Sequence, residues 1–360
     1  MVPAKAAPPT FAQAYIAPAG CVVADIAARG RATVVGFGTC APSGIALRII
    51  FVEGTGGEWR QELSPYNGQV VAVADDGQTT FALIFDDAGL AVVGRRADGT
   101  YLSPRVVHSN FGVTPEADLV ASAGQWWAVW TYGGPLFQAT TLGRTRATQQ
   151  ITYARTPGPS HTLSDHDPFL QLSDGTIWLA WSHLSRQDDD TGKTVGTGHY
   201  DLRVSTSSIR TARWSSVAAP ISPNVFNRGP QIASLANHVA VAWEADLVPY
   251  FADRVYGARF RRVRLGASAC DFAPYVRLVA LRPRVNVAFN GCASESRSDR
   301  RIVVTTRTAA RWTVDDVTPA HVSLVDYQLV SSAQTGSQKV VLLVTETVAG
   351  VQRSLALEEQ

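Results

Sequence analysis

The sequence predicts an all-β fold: a seven-bladed β-propeller of four-stranded antiparallel blades, closed by an N-terminal strand in the last blade. Three observations predict it. Seven similar strand-rich units follow one another along the chain, their spacing suits a four-stranded sheet, and a spare strand precedes the first unit.

Each unit has a short apolar strand, a tight turn and a second, strongly apolar strand ending in a large side chain. The large residues are Phe37, Phe85, Trp130, Trp181, Trp243, Phe289 and Val344, separated by 48, 45, 51, 62, 46 and 55 positions. The second strands alternate with period two or run continuously apolar, as buried strands do, and lack the i, i+3, i+4, i+7 pattern of helical repeats. Asn67-Gly68, Asp76-Gly77, Asp98-Gly99 and Asp174-Gly175 supply turn chemistry for antiparallel hairpins. The last unit offers three strands, and Phe11 to Ile16 is free to complete it as the closing fourth.

The 360 residues are 46% hydrophobic and 17% charged, enough apolar material for a large core and against overall disorder. The expected organisation is a flexible tail over residues 1–9 and a single propeller domain over 10–360. Lysine occurs only at Lys5, Lys193 and Lys339, an arginine bias that points to a GC-rich, actinobacterial genome. A net charge of +2 argues against nucleic acid as the main partner. No apolar run is long enough for a membrane-spanning helix. The first nine residues read as the mature end left by a removed export signal, so a secreted, extracellular location is expected.

Cys21, Cys40, Cys270 and Cys292 show no Cys-x-x-Cys or zinc-like spacing, and two structural disulfides are expected. Cys21 begins the first strand of unit one and Cys40 ends its second, which sets them opposite each other across a hairpin. Cys270 and Cys292 flank the corresponding hairpin of unit six.

In a propeller, loops entering the first strands and leaving the second strands share the face around the channel mouth. That face is expected to gather Asn110, His161, Asp165, His166, His183, Asn227, Arg228, Glu244, Asp246, Tyr250, Asp253 and Asp271 as ligand-binding candidates. Aromatic rings beside carboxylates, amides and arginines suit a sugar, whose CH face stacks while planar polar groups satisfy its hydroxyls. Asp167 and Glu244 form the candidate acid and base if the chain is a glycosidase. Adjacent strand positions point to opposite faces, so Asp165, His166 and Asp167 are not expected to converge together. The longest rim insertions are expected at Ser182 to Gly198 and Glu244 to Asp253.

No metal site or cofactor is expected. Asp188-Asp189-Asp190 would be the calcium candidate, but it lacks the alternating ligands of a calcium loop. Arg254, Arg259, Arg261, Arg262 and Arg264, with Arg297, Arg300 and Arg301, outline a basic sector at one edge. Trp59, Trp214 and Trp312 recur on fourth strands, a regularity that favours interblade packing over sugar stacking. Nucleophile-elbow, zincin, phosphate-loop and dinucleotide motifs are absent from the sequence.

The segments Pro168-Phe-Leu-Gln-Leu-Ser-Asp-Gly-Thr-Ile-Trp-Leu-Ala-Trp181 and Pro230-Gln-Ile-Ala-Ser-Leu-Ala-Asn-His-Val-Ala-Val-Ala-Trp243 resemble blades of sialidase-like and lectin-like secreted propellers. The Ser-x-Asp-x-Gly-x-Thr-Trp box of sialidases does not occur. Size, seven units, inferred export and arginine bias also look like the propeller lectin subunits of streptomycete umbrella toxin particles. That resemblance implies a non-catalytic subunit that displays a glycan-binding surface and is held by an adaptor protein. The leading expectation is therefore a secreted lectin-like module that binds cell-surface glycan and docks a protein partner. The alternative is a propeller-type glycoside hydrolase or lyase.

Overall fold

Strands that are apolar on both faces must be covered on both faces, and a ring of sheets stacked side by side does this without leaving an end. The computed structural model describes residues 10–41, 47–109, 113–132, 136–141, 149–151, 165–187, 198–209, 213–217, 227–235, 238–255, 259–266, 275–280, 284–292, 300–308, 311–319 and 325–360. Among these residues, seven four-stranded antiparallel sheets form the seven blades.

The inner strands of blades one to seven are Cys21–Arg29, Gln69–Asp75, Glu116–Ser122, Asp165–Ser173, Asn227–Leu235, Arg277–Ala280 and Val325–Gln334. Each inner strand meets the next, and the seventh meets the first, so the ring closes around a channel. The closing strand is Phe11–Tyr15, which pairs antiparallel with Val351–Glu359 as the fourth strand of blade seven, as the sequence predicts.

The second strands carry the energetics. In blade three, Trp126, Ala128 and Trp130 pack toward blade two, while Trp127 and Val129 pack toward blade four. The same alternation yields seven interblade apolar clusters, one per interface. The fourth-strand tryptophans tie blades one, four and six each to the blade before it. Trp59 Nε1 donates to Glu358 at 2.7 Å, Trp214 Nε1 donates to Gln138 at 2.8 Å, and Trp312 meets Phe251 edge-on at 5.1 Å. Gly54 lies beneath Trp59; a Cβ there would come within 2.3 Å of the indole.

Cys21 and Cys40 are direct partners across the first hairpin of blade one, with Cα atoms 4.0 Å apart, and they form the expected disulfide. Cys292 is also disulfide-bonded, whereas Cys270 lies outside the described residues.

Two sequence expectations are corrected. Asn67-Gly68 joins blade one to blade two, since Glu58–Asn67 is the outer strand of one and Gln69–Asp75 the inner strand of the other. Gly68, at φ 119, is required there by the chain reversal between sheets, not by a hairpin. The stretch from Glu244 to Asp253 is no long insertion. Asp246 and Leu247 form a two-residue turn, both at positive φ, between His238–Ala245 and Val248–Val255. After Trp181, by contrast, the hairpin arms extend to Gln187 and from Gly198, while residues 188–197, including Asp188 to Asp190, lie outside the described residues.

Candidate functional site

The channel encloses a cavity of about 1150 Å³, lined by residues of all seven inner strands. At the mouth beside blades three, four and five it is bordered by Glu116, Asp167, Arg228 and Glu244, with Leu247 and Tyr275 adding apolar and aromatic surface.

A repeated kink in the inner strands creates this corner. In blade four the register shifts between His166 and Phe169, and in blade five between Arg228 and Gln231. Both bulges place a residue with positive φ before a proline: Asp167 at 51° before Pro168, and Gly229 at 55° before Pro230. An Asp held where the next blade uses glycine is a local cost, and its contacts show what stabilises it. Glu116 accepts the Asp167 amide at 2.7 Å, and Asp167 in turn accepts the Gly229 amide at 3.1 Å. Asp167 also accepts from Arg228 Nε at 2.9 Å and Nη2 at 3.2 Å. Carboxylate, amide and guanidinium thus stitch three blades together at the mouth.

The bulge also breaks strict alternation. His166 Nδ1 lies 3.3 Å from Glu116 and its ring meets Tyr200 edge-on at 5.5 Å, so His166 and Asp167 share Glu116. Asp165 turns away from them, as the sequence reading expects. Its Oδ1 accepts from Trp181 Nε1 at 2.9 Å and lies 2.7 Å from His183 Nδ1. Asn227 is its counterpart in blade five, taking the Trp243 indole at 3.0 Å and donating to the Tyr200 carbonyl at 2.6 Å. Both are buried, and both hold second-strand tryptophans in place.

The remaining candidates separate. Tyr250 stacks on Trp243 at 5.7 Å and lies under Arg262. Asp253 sits toward the opposite end of its strand, 2.8 Å from His238 Nε2 and accepting from Arg307 at 2.5 Å, where it bridges blades five and six. Asp246 lies in the turn beside Glu244. Asn110, His161 and Asp271 lie outside the described residues. In the basic sector, Arg254 covers the Phe260 ring at 4.7 Å and Arg301 pairs with Asp316 at 2.8 Å, while Arg297 lies outside the described residues.

The carboxyls at the mouth differ in charge state. Burial pushes Glu116 up, but bonds from His166 and the Asp167 amide, with the Arg228 charge, outweigh it and leave the carboxyl below its ordinary value. Glu244 is 7% exposed and has no hydrogen-bond partner among the described residues. Burial pushes it up to about 7; Arg228 opposes this, and Asp167 and Asp246 add to it. Sequence reasoning missed Glu116, Leu247 and Tyr275. Glu116 was legible as the first residue of an apolar inner strand, the place Asp165 and Asn227 hold in their blades.

Deeper in the channel, Asp25 bonds the amides of Ile26 and of Val73 in the next blade, at 2.9 and 2.8 Å. Asp118 repeats the device with Leu119 and Leu170 at 2.8 and 2.6 Å. Burial raises both carboxyls, Asp118 to about 8. Arg277 spends its guanidinium on backbone carbonyls, donating twice to Val330. Among the described residues, no group of three or more His, Cys, Asp or Glu side chains could hold a metal ion.

No family model and no curated protein matches the sequence. Solved structures do resemble the fold. Trypanosoma rangeli sialidase matches at 9% identity and TM-score 0.50, over 95% of this chain and 55% of that chain. The same sialidase with 2,3-difluorosialic acid as a covalent intermediate matches at 10% and 0.51, over 94% and 54%. A bat subtype N10 neuraminidase-like protein matches at 10% and 0.48, over 80% and 91%. This chain therefore spans about half the length of the T. rangeli enzyme. The protein is a seven-bladed propeller with sialidase-like structural neighbours.

Proposed function

We propose that this protein is a secreted, lectin-like propeller that binds carbohydrate at the channel mouth between blades three and five. The observation that carries the reading is the convergence of Glu116, Asp167, Arg228 and Glu244 on one concave, water-accessible corner bordered by Leu247 and Tyr275. Planar acceptors and a guanidinium beside apolar surface are what a sugar's hydroxyls and CH face require. The fold likeness to carbohydrate-active propellers supports the same class. The Cys21–Cys40 disulfide supports an oxidising, extracellular location.

The corner's charge balance argues against an anionic sugar such as the difluorosialic acid seen in the T. rangeli enzyme. Arg228 is already engaged by Asp167, Glu116 lies 3.5 Å from its Nη2, and Glu244 is close enough to feel its charge. Docking to an adaptor protein, as a subunit of a secreted particle, belongs to the same proposal. Exposed Leu63, Val106 and Val314 on outer strands supply apolar footholds for it, and stoichiometric co-purification from the native source tests it.

A second reading, glycoside hydrolysis, is favoured by one observation: Asp167 is ion-paired while Glu244 is raised to about 7, the division of labour that an acid and a base need. A glycan array followed by assay of reducing ends on the best ligand tests both. Binding without turnover is expected. Turnover abolished by Glu244→Gln would establish the hydrolase, and an array with no binding would end the carbohydrate reading.

A further inference from the structure

Resting on the carbohydrate reading, we infer that the channel-mouth site selects a sugar bearing a free ammonium group, a deacetylated amino sugar, with Glu244 as its counter-ion. Glu244 is more than nine-tenths buried, lines the cavity, and has no hydrogen-bond partner among the described residues. A carboxyl in that state is stabilised by a donor arriving with the ligand, and a charged donor gives the strongest bond. Its neighbours decide the sign of that ligand. Glu116 and Asp167 come from the inner strands of blades three and four, and Asp246 from the adjoining turn. Against them stand Arg228, whose Nε and Nη2 are directed at Asp167, and His166, which faces Glu116 and Tyr200. Tyr275 borders the opening from blade six. Among the described residues at this corner, Glu116, Asp167 and Glu244 stand against Arg228 and His166, so it favours a positive ligand over a carboxylate or sulfate.

A metal ion fits less well than an ammonium, because two of the corner's carboxylates are committed to backbone amides and to Arg228. An ammonium needs no coordination shell; three acceptors within reach suffice, and sugar hydroxyls supply the rest of the recognition.

Calorimetric titration of the whole protein at pH 7 tests the inference with three probes: a glucosamine tetramer, its N-acetylated counterpart and a glucose tetramer. The free-amine probe is expected to bind at least ten-fold tighter than the other two. Glu244→Gln is expected to remove that preference, bringing the free-amine probe to within about two-fold of the other two. The wild-type comparison needs no variant, so a destabilised Gln protein does not spare the idea. Equal binding of all three probes overturns the inference and leaves carbohydrate binding standing. Binding of a lysine-rich peptide with no sugar bound overturns both, as does a blank glycan array.

Discussion

At the residue scale, the mouth is made of side chains whose first duty is to hold neighbouring blades. Asn227 joins the Trp243 indole to the Tyr200 carbonyl, and Leu in its place would take the acceptor from the buried Trp243 indole N–H. A loss of about 3 kcal/mol is expected in urea denaturation; less than about 1 kcal/mol would contradict the role. Glu244 gives a pH signature whose sign can be worked out. Its folded value is raised from 4.5 to about 7, so the folded protein holds the proton more tightly than the unfolded chain. Its stabilising contribution is full below about pH 4.5 and is lost as pH rises through 7. Glu244→Gln is therefore expected to gain stability relative to wild type between pH 5 and 8, on the order of 2 kcal/mol, seen as converging melting curves at the acid end. A pH-independent difference would show that the carboxyl is not proton-bearing. Sequence made Asp167 and Glu244 legible as polar residues on a shared face. It could not reveal which of them is ion-paired, because that depends on the bulge bringing Arg228 back over Asp167.

At the element scale, the second strands were readable because they are buried on both faces, and short, almost continuously apolar runs bounded by turn residues and repeated seven times fit covered strands. Closure was readable for the same reason: three strands in the last unit leave one edge open, and Phe11–Tyr15 fills it. Bulges were not readable. His166-Asp167-Pro168 and Arg228-Gly229-Pro230 look like strand beginnings, and nothing in them shows that the kink turns the Asp167 amide onto Glu116 beside the His166 ring while its carboxylate meets Arg228. The Glu244–Asp253 stretch misled in the opposite direction: polar Asp246 suggests a loop, but a two-residue turn needs only two residues at positive φ. The Cys21–Cys40 bridge spans 19 positions of sequence, and its removal by a double Ser substitution is expected to cost about 3 kcal/mol by thermal melting. Deletion of residues 1–16 exposes the edge of Val351–Glu359 and uncovers part of the blade seven to blade one core, to which Ile16 contributes. Self-association at a lowered melting temperature is the expected result in scattering and calorimetry.

At the scale of the whole molecule, seven blades close around a channel lined by the half-buried Asp25, Asp118 and Arg277. Burial raises Asp25 and Asp118 as it raises Glu244, so all three bind protons more tightly when folded, and all three lose their contribution as pH rises past about 7 to 8 for Asp118 and Glu244. The ring is expected to melt at a higher temperature near pH 6 than near pH 9, with Asp118→Asn narrowing the difference. Glu62, Glu116, Asp253 and Asp316 are lowered instead, and their contribution is lost only in strong acid. The same closure that draws the three raised carboxyls into the channel brings together Glu116, Asp167, Arg228 and Glu244, which lie up to 128 positions apart between Glu116 and Glu244. The most direct test is a crystal structure with the strongest glycan-array ligand bound. Sugar density at the mouth between blades three and five, with a polar atom within hydrogen-bond reach of Glu244, is the expected result. Sugar held on the outer strands or on the opposite face, with the mouth empty, would contradict it.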